Sequence, residues 1–234
     1  FNVVEDSKKM ELEKQALLVW AKSFSSSQNR SITNSWVEDT DHCSWPGISC
    51  NYLKKVQAID IAEQGIAGAI HDQISVLTDL KTIRLGDRSF SSAPVFRGNR
   101  FYGTLPAEWS ALTSLENFEA SWSDISGTLP ASWSGLTALR SIDLFYNEIS
   151  GTLPREYSTL VRLEHLDLQN NRINSSLPPA WSALVNLATL NLNNNLLFGT
   201  VPKPWSRWCK DDSNLRVIGN KNLRGSLDCS WFSA

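Results

Sequence analysis

Three carboxylates recur at one position of a 24-residue period and are the residues of this sequence best suited to chemistry. Glu119, Asp143 and Asp167 follow one another at that spacing, which places them about 4.8 Å apart if each lies on the next strand of a sheet. Neighbouring carboxylates perform acid–base catalysis when a dry pocket splits their pKa values, and they bind calcium when a further oxygen ligand such as Asn191 extends the set. An open sheet face seldom provides such a pocket, so a solvated acidic strip is the favoured interpretation.

The histidines and the nucleophilic residue types do not indicate an enzyme. His42, His71 and His165 lie in different sequence contexts. No serine, cysteine or glycine-rich segment forms a recognisable nucleophile or phosphate motif. We therefore predict no catalytic residue and no cofactor.

The four cysteines fall into two local pairs, Cys43 with Cys50 and Cys209 with Cys229, one pair toward each end of the chain. This placement predicts two disulfide bonds, and disulfides indicate an oxidising, extracellular compartment. A zinc site is the alternative, but neither pair has CxxC spacing and only His42 adjoins a cysteine. We predict no bound metal.

Composition excludes several classes of partner. The 234 residues are 41% hydrophobic and 20% charged, with a formal net charge of -2, as in an ordinary soluble globular protein. Long runs of like charge are absent from the sequence, which argues against nucleic acid as a partner. No apolar run approaches the roughly 20 residues that cross a bilayer. We therefore expect membrane attachment only through an anchor that is not part of this sequence.

The elements that must position these residues are set by an internal repeat of the form LxxLxLxxNxLxGxLPxxWSxLxx. Alternation such as that of Ile142 and Leu144 turns apolar side chains inward from a short strand, so the residues between them face outward. The asparagine is predicted to satisfy backbone groups where the chain turns, and the tryptophan to stack as core beneath the convex surface. The units begin at Val56, Leu80, Leu115, Leu139, Leu163, Leu187 and Leu215.

Stacked units of this kind predict an α/β fold, a right-handed leucine-rich-repeat solenoid with one parallel β-sheet on its concave face. Both ends of a solenoid expose its core and need caps. An amphipathic helix from about Asp6 to Phe24, with Leu12 on its apolar face, is predicted at the start, and a cap stapled by a disulfide at the end. We expect one structural domain: N-terminal cap 1–55, repeats 56–214 with an insertion at about 87–98, and last repeat and cap 215–234.

Aromatic residues that serve no repeat consensus mark a candidate ligand-binding site. Trp122, Phe145 and Tyr146 come directly after their strands in consecutive repeats, so we expect them together at or near the concave face. The predicted border of this patch is formed by Glu119, Asp143, Asp167 and His165. A cluster of exposed aromatics is typical of a binding hot spot, although packing beneath the 87–98 insertion explains it almost equally well.

Two Asn-x-Ser sequons begin at Asn29 and Asn174. In a secreted chain both are glycosylation acceptors. Asn29 falls in a polar N-terminal loop, and Asn174 falls on the flank of its repeat, away from the strand. Modification of Asn174 would therefore leave the concave face free.

The segment from Cys43 to Cys50, CSWPGISC, preceded by Leu17-Leu18 and Asn34-Ser35-Trp36, resembles the N-terminal cap of plant-type extracellular leucine-rich-repeat proteins. The glycine and Leu-Pro elements of the repeats are also similar to the plant type. Plant units usually carry an aliphatic residue where this chain has tryptophan, which distinguishes the two.

The recurring GTLPxxWSxL, at 103–112 and again at 127–136, closely resembles the promastigote surface antigen and proteophosphoglycan repeats of kinetoplastid parasites. That resemblance implies a protein that is secreted or displayed at the cell surface, commonly with a lipid anchor. It also implies contact with host cell-surface proteins or complement receptors.

The sequence therefore predicts an extracellular, non-enzymatic module that binds a protein or peptide, with basic residues in the ligand to match the acidic column. Two alternatives remain open. In the first alternative, the solenoid serves as a protease-resistant coat or spacer without a specific ligand. In the second, it is an enzyme inhibitor of the plant polygalacturonase-inhibitor kind.

Overall fold

A long sheet of eight strands runs through the repeats. The computed structural model describes residues 3–26, 31–86, 99–210 and 215–224. Numbered in chain order, the strands of this sheet are β2 (Ile48–Cys50), β3 (Val56–Asp60), β5 (Thr82–Arg84), β7 (Asn117–Glu119), β9 (Ser141–Asp143), β11 (His165–Asp167), β13 (Thr189–Asn191) and β15 (Leu215–Arg216). All are parallel except β2, which pairs antiparallel with β3. The predicted repeat solenoid with a parallel sheet is confirmed.

Shorter strands form a second line on the flank of the solenoid. They are β1 (Ser25–Ser26), β4 (Ile66–Ala69), β6 (Arg100–Thr104), β8 (Asp124–Ser126), β10 (Ser150–Gly151), β12 (Arg172–Ile173), β14 (Phe198–Thr200) and β16 (Asn222–Arg224). The line divides into sheets of four, two and two strands. One division falls at Ser175, which stands where neighbouring repeats have a glycine of positive φ such as Gly151. Ser175 is not among the residues with positive φ, which a serine adopts less readily than glycine.

The opposite side of each repeat is a short 3-10 helix. These helices span Asp72–Val76, Ala107–Ala111, Ala131–Gly135, Arg155–Thr159, Pro179–Ala183 and Lys203–Lys210. The tryptophan position lies in them, and its side chains are fully buried at Trp109, Trp133, Tyr157, Trp181 and Trp205. Neighbouring rings stack almost parallel, with centroids 6.1 Å apart for Trp181 and Trp205. The prediction that this column is core is confirmed.

Each ring of this column also bonds to the preceding repeat. Trp133 Nε1 donates to the Pro106 carbonyl at 2.9 Å, and Trp181 Nε1 donates to the Pro154 carbonyl at 2.8 Å. The Tyr157 hydroxyl does the same to Pro130 at 3.2 Å. Since burial also raises the pKa of Tyr157, this hydroxyl stays protonated and remains a donor.

An asparagine ladder closes the end of the strands. Asn171 is representative: its Nδ2 donates to the carbonyls of Leu144 at 2.9 Å and Leu168 at 3.1 Å, and its Oδ1 accepts from the Ile149 N–H at 2.9 Å. The same pattern holds at Asn99, Asn147, Asn195 and Asn220. Ser123 occupies this position in its own repeat, and its buried hydroxyl makes no hydrogen bond.

The N-terminal cap is the predicted helix, α1 (Val3–Ala21), followed by the short α2 (Ser31–Ser35). Leu17 and Trp20 are fully buried, and Trp20 Nε1 donates to the Ala69 carbonyl at 2.7 Å. Glu13 is also buried, and its Oε2 accepts the Val56 N–H at 3.0 Å where the first repeat begins. The expectation for Leu12 was wrong: this residue is 61% exposed.

The predicted disulfide between Cys43 and Cys50 is present, with the Cα atoms 5.6 Å apart. His42 lies beside it, and burial lowers the pKa of its imidazole. Because both sulfurs are bonded to each other, this cluster offers no thiolate to zinc. The predicted partner of Cys209, Cys229, lies outside the described residues, as do the 87–98 insertion and Asn29.

The register of the last repeat differs from the expected one. Leu215 pairs with Leu190, which is the fourth residue of its own unit, so Leu215 is not the first residue of its repeat. The unit therefore begins at position 212, three residues earlier. The position of Asn220 in the asparagine ladder agrees with this register.

Candidate functional site

The acidic residues occupy one column on the outer face of the long sheet, here called the sheet face. Strand pairing aligns Glu119 with Asp143 and Asp143 with Asp167, as the repeat spacing predicts. The full column reads Asp60, Arg84, Glu119, Asp143, Asp167, Asn191 and Arg216. Arg84 therefore adjoins the three carboxylates at one end, and Arg216 follows at the other end beyond Asn191. His165 is exposed on the same face, two residues before Asp167 on β11.

The first carboxylate is engaged within the fold. Arg84 Nη1 lies 3.3 Å from Asp60 Oδ2, and Arg84 Nε lies 3.6 Å from Glu119 Oε2. Glu119 is buried beneath these contacts. The next two carboxylates are half-buried on the sheet face, and Asp143 Oδ1 accepts the Ser121 hydroxyl at 2.8 Å. Asp143 and Asp167 are therefore the acidic pair best placed to meet a ligand.

Asp167 has a perturbed carboxyl on the sheet face. Its pKa is raised to about 6: burial is the main cause and the neighbouring charge of Asp143 adds to it, while hydrogen bonds from the Gln169 backbone and the Asn191 amide, and the charge of Arg216, oppose the rise. The Gln169 N–H donates to Oδ1 at 3.0 Å and Asn191 Nδ2 donates to Oδ2 at 3.0 Å. A cationic group placed beside Asp167 would relieve this unfavourable charge.

Replacing Asp167 by asparagine is expected to change how stability depends on pH. A pKa raised in the folded state favours folding most below the ordinary value of 3.8, and that contribution is lost as pH rises through about 6. Relative to Asp167→Asn, the wild-type protein should therefore lose about 1–2 kcal/mol between pH 4 and pH 7, after allowance for solvent screening. Chemical denaturation across this pH range measures the difference. Equal pH profiles for the two proteins would contradict it.

The three predicted aromatic residues are in contact at the edge of the sheet face. Trp122 and Tyr146 stack with their centroids 4.0 Å apart and their planes inclined by 22°. Phe145 packs edge-on against Trp122, with centroids 5.2 Å apart. Trp122 is 39% exposed and Tyr146 is 49% exposed. These two rings therefore form a solvent-accessible aromatic pair, here called the aromatic stack.

Both residues of the aromatic stack have left-handed backbones. Trp122 has φ of 55° and Tyr146 has φ of 58°, a conformation that bulky residues rarely adopt and that asparagine tolerates. Asn170 and Asn194 occupy the same position in the next two repeats, with φ of 54° and 53°. The aromatic residues thus stand where asparagine would fit the backbone better.

Sequence reasoning identified the carboxylate column, His165 and the aromatic patch, and the structure brings all of them to one side of the solenoid. Sequence reasoning missed the two arginines of the column. It also missed the row of left-handed residues formed by Trp122, Tyr146, Asn170 and Asn194. Asparagine at 170 and 194 was the available signal for that row, since asparagine is enriched in left-handed turns.

The repeats, the asparagine ladder and the capping helix define a leucine-rich-repeat solenoid, and leucine-rich-repeat family models match three parts of the chain. The leucine rich repeat N-terminal domain matches residues 10–51, and leucine rich repeat models match residues 138–160 and 161–202. Within the described part of the chain, no helix has the length and apolar character needed to cross a bilayer.

Three similar proteins are plant receptors or receptor-like proteins. Receptor-like protein 7 of Arabidopsis thaliana is 30% identical over 117 residues, 49% of this chain and 11% of that protein. The crystal structure of a pollen receptor kinase 3 is 27% identical with a TM-score of 0.72, over 90% of this chain and 96% of that one. The Arabidopsis receptor kinase HAESA was solved with the peptide hormone IDA and the co-receptor SERK1. It is 21% identical with a TM-score of 0.50, over 92% of this chain and 42% of that one. The match with receptor-like protein 7 thus covers about a tenth of the length of that protein.

Proposed function

We propose that the chain is an extracellular binding module whose sheet face engages a protein or peptide ligand that carries a basic residue next to an apolar one. The observation that carries this proposal is the aromatic stack: two large rings are held exposed, in left-handed conformations, beside a column of carboxylates. Exposed aromatic residues with polar neighbours are typical of binding hot spots.

The acidic pair supports the basic character of the ligand. Asp143 and Asp167 lie on adjacent strands in register, and the pKa of Asp167 is raised mainly by burial and also by the charge of Asp143. A lysine or arginine of the ligand, placed against this pair, would gain a charge-assisted hydrogen bond. The Phe145 N–H donates to Asp143 Oδ1 at 3.2 Å, so an aromatic residue adjoins this carboxylate and could add a cation–π contact to the same cation.

The fold is consistent with this role. HAESA shares it and was solved with a peptide hormone. A more specific proposal rests on the GTLPxxWSxL repeats: display at a parasite surface, by secretion or lipid anchoring, for contact with a host cell-surface protein or a complement receptor.

Asparagine substitutions provide a test that leaves the fold intact. Because Asn170 and Asn194 already occupy this backbone position, Trp122→Asn and Tyr146→Asn should retain or slightly raise thermal stability. Peptides selected from a random phage-displayed library on the wild-type protein should be enriched in lysine and arginine. Each substitution should weaken their binding by about 1–3 kcal/mol in calorimetry.

Asp143→Asn is the electrostatic counterpart. It should lower the association rate and reduce the dependence of affinity on salt, because a charge beside the contact acts mainly by steering. If the selected peptides bind the Trp122→Asn and Tyr146→Asn proteins as tightly as the wild type, the aromatic stack is not the binding site. If no peptide is enriched, the spacer interpretation is favoured instead.

A further inference from the structure

An exposed apolar pair on the flank breaks the pattern of the repeats. The flank position that directly follows the asparagine-ladder position is charged in four consecutive repeats, at Arg100, Asp124, Glu148 and Arg172, and is leucine in the fifth, at Leu196. The charged residues form ion pairs between repeats, Arg100 with Asp124 and Arg172 with Glu148. Leu196 is instead 54% exposed, and Phe198, two residues later on the same side, is 45% exposed.

The neighbour of this apolar pair is the sequon at Asn174. The Leu196 N–H donates to the Ile173 carbonyl at 2.9 Å, and the Phe198 N–H donates to the Ser175 carbonyl at 3.0 Å. Residues 196–198 therefore run directly beside residues 173–175. Burial alternates along both segments, so that Asn174 and Ser176 face outward with Leu196 and Phe198.

The backbone of the sequon is held firmly in place. The Asn174 N–H donates to the Gly151 carbonyl at 2.9 Å, and the buried Ser175 hydroxyl accepts the Leu153 N–H at 3.2 Å. The exposed Asn174 side chain consequently leaves the surface at a fixed place, one strand away from the apolar pair.

We propose that Asn174 carries an N-linked glycan whose first sugar rings pack on Leu196 and Phe198. In the modification, Asn174 Nδ2 forms a bond to the anomeric carbon of a lipid-linked oligosaccharide diphosphate. The bond from that carbon to the diphosphate oxygen breaks, the lipid diphosphate leaves, and the amide nitrogen gives up one proton. The glycan then covers the apolar pair, because the C–H face of a sugar ring packs against aromatic and aliphatic side chains. The site lies on the flank, so the glycan leaves the sheet face open.

The test uses protein secreted from eukaryotic cells behind an appended signal peptide, with Asn29→Gln in every version so that only one sequon remains. Peptide mapping by mass spectrometry should find Asn174 glycosylated, and the further change Asn174→Gln should remove that mass. An unmodified Asn174 would overturn the site, whatever the outcome of the peptide selection on the sheet face.

Packing is tested separately by thermal unfolding. Trimming the glycan to one N-acetylglucosamine should preserve most of its stabilisation, and complete removal with a peptide-N-glycosidase should lower Tm by about 2–4 °C. The double variant Leu196→Arg, Phe198→Ser restores residue types of the preceding repeats, and in it complete removal should change Tm by less than half as much. Equal decreases in both proteins would show that the glycan does not pack on the pair.

Discussion

Trp181→Ala is expected to lower the free energy of unfolding by about 3–5 kcal/mol, the usual cost of removing a buried tryptophan. Its ring lies between Tyr157 and Trp205, with centroids 6.4 Å and 6.1 Å away. The substitution removes both stacking contacts, leaves a cavity and deprives the Pro154 carbonyl of its donor. Denaturation in guanidinium chloride, followed by far-ultraviolet circular dichroism, measures the loss.

Two further variants separate packing from hydrogen bonding. Trp181→Tyr should cost about 1–2 kcal/mol, because Tyr157 already occupies the same repeat position and bonds the Pro130 carbonyl. Trp181→Phe keeps a ring but no donor, and should cost more than Trp181→Tyr. Equal stability of the tyrosine and phenylalanine variants would mean that the bond to the preceding repeat contributes little.

Asn171→Ala is expected to cost about 3–5 kcal/mol, since three buried backbone groups lose a partner at about 1–3 kcal/mol each. These groups are the carbonyls of Leu144 and Leu168 and the N–H of Ile149. They belong to two successive repeats, so the loss should also weaken the coupling between repeats and broaden the unfolding transition. Equilibrium denaturation measures both the midpoint and the steepness.

Ser123 provides the matched control at the equivalent position. Its hydroxyl is buried without a hydrogen bond, so Ser123→Ala should change stability by less than about 0.5 kcal/mol or raise it slightly. A cost for Ser123→Ala as large as that for Asn171→Ala would show that side-chain volume, rather than the asparagine bonds, matters here.

Most of the fold could be predicted because each repeat restates the same physical requirements. Alternating apolar residues specify a strand, and the tryptophan that shares their register specifies a second buried column. The last repeat was misplaced because its first position, 212, is an aspartate, so Leu215 was the first visible leucine. The exposure of Leu12 was missed because the spacing of apolar residues shows which ones share a face, but not how far the covered surface extends.

The candidate site was predictable in position but not in conformation. The residues between the inward leucines must face outward, which located Asp143 and Asp167 correctly. The left-handed backbone of Trp122 and Tyr146 could not be predicted from those residues, because aromatic side chains disfavour it. It is imposed by the repeat geometry, which the asparagines at 170 and 194 share.

The asparagine bonds have a consequence for how such a chain can change its length. Each backbone group that bonds to the Asn171 side chain lies a fixed number of residues before Asn171, either in the same repeat or in the preceding one. Duplicating or deleting one whole 24-residue unit therefore recreates the same set of bonds at the new junction, whereas a partial unit leaves backbone groups unpaired. The insertion before Asn99 is tolerated because that asparagine still reaches the Ile61 and Leu85 carbonyls. Recombination in whole units would thus lengthen or shorten the sheet face while the core contacts stay the same.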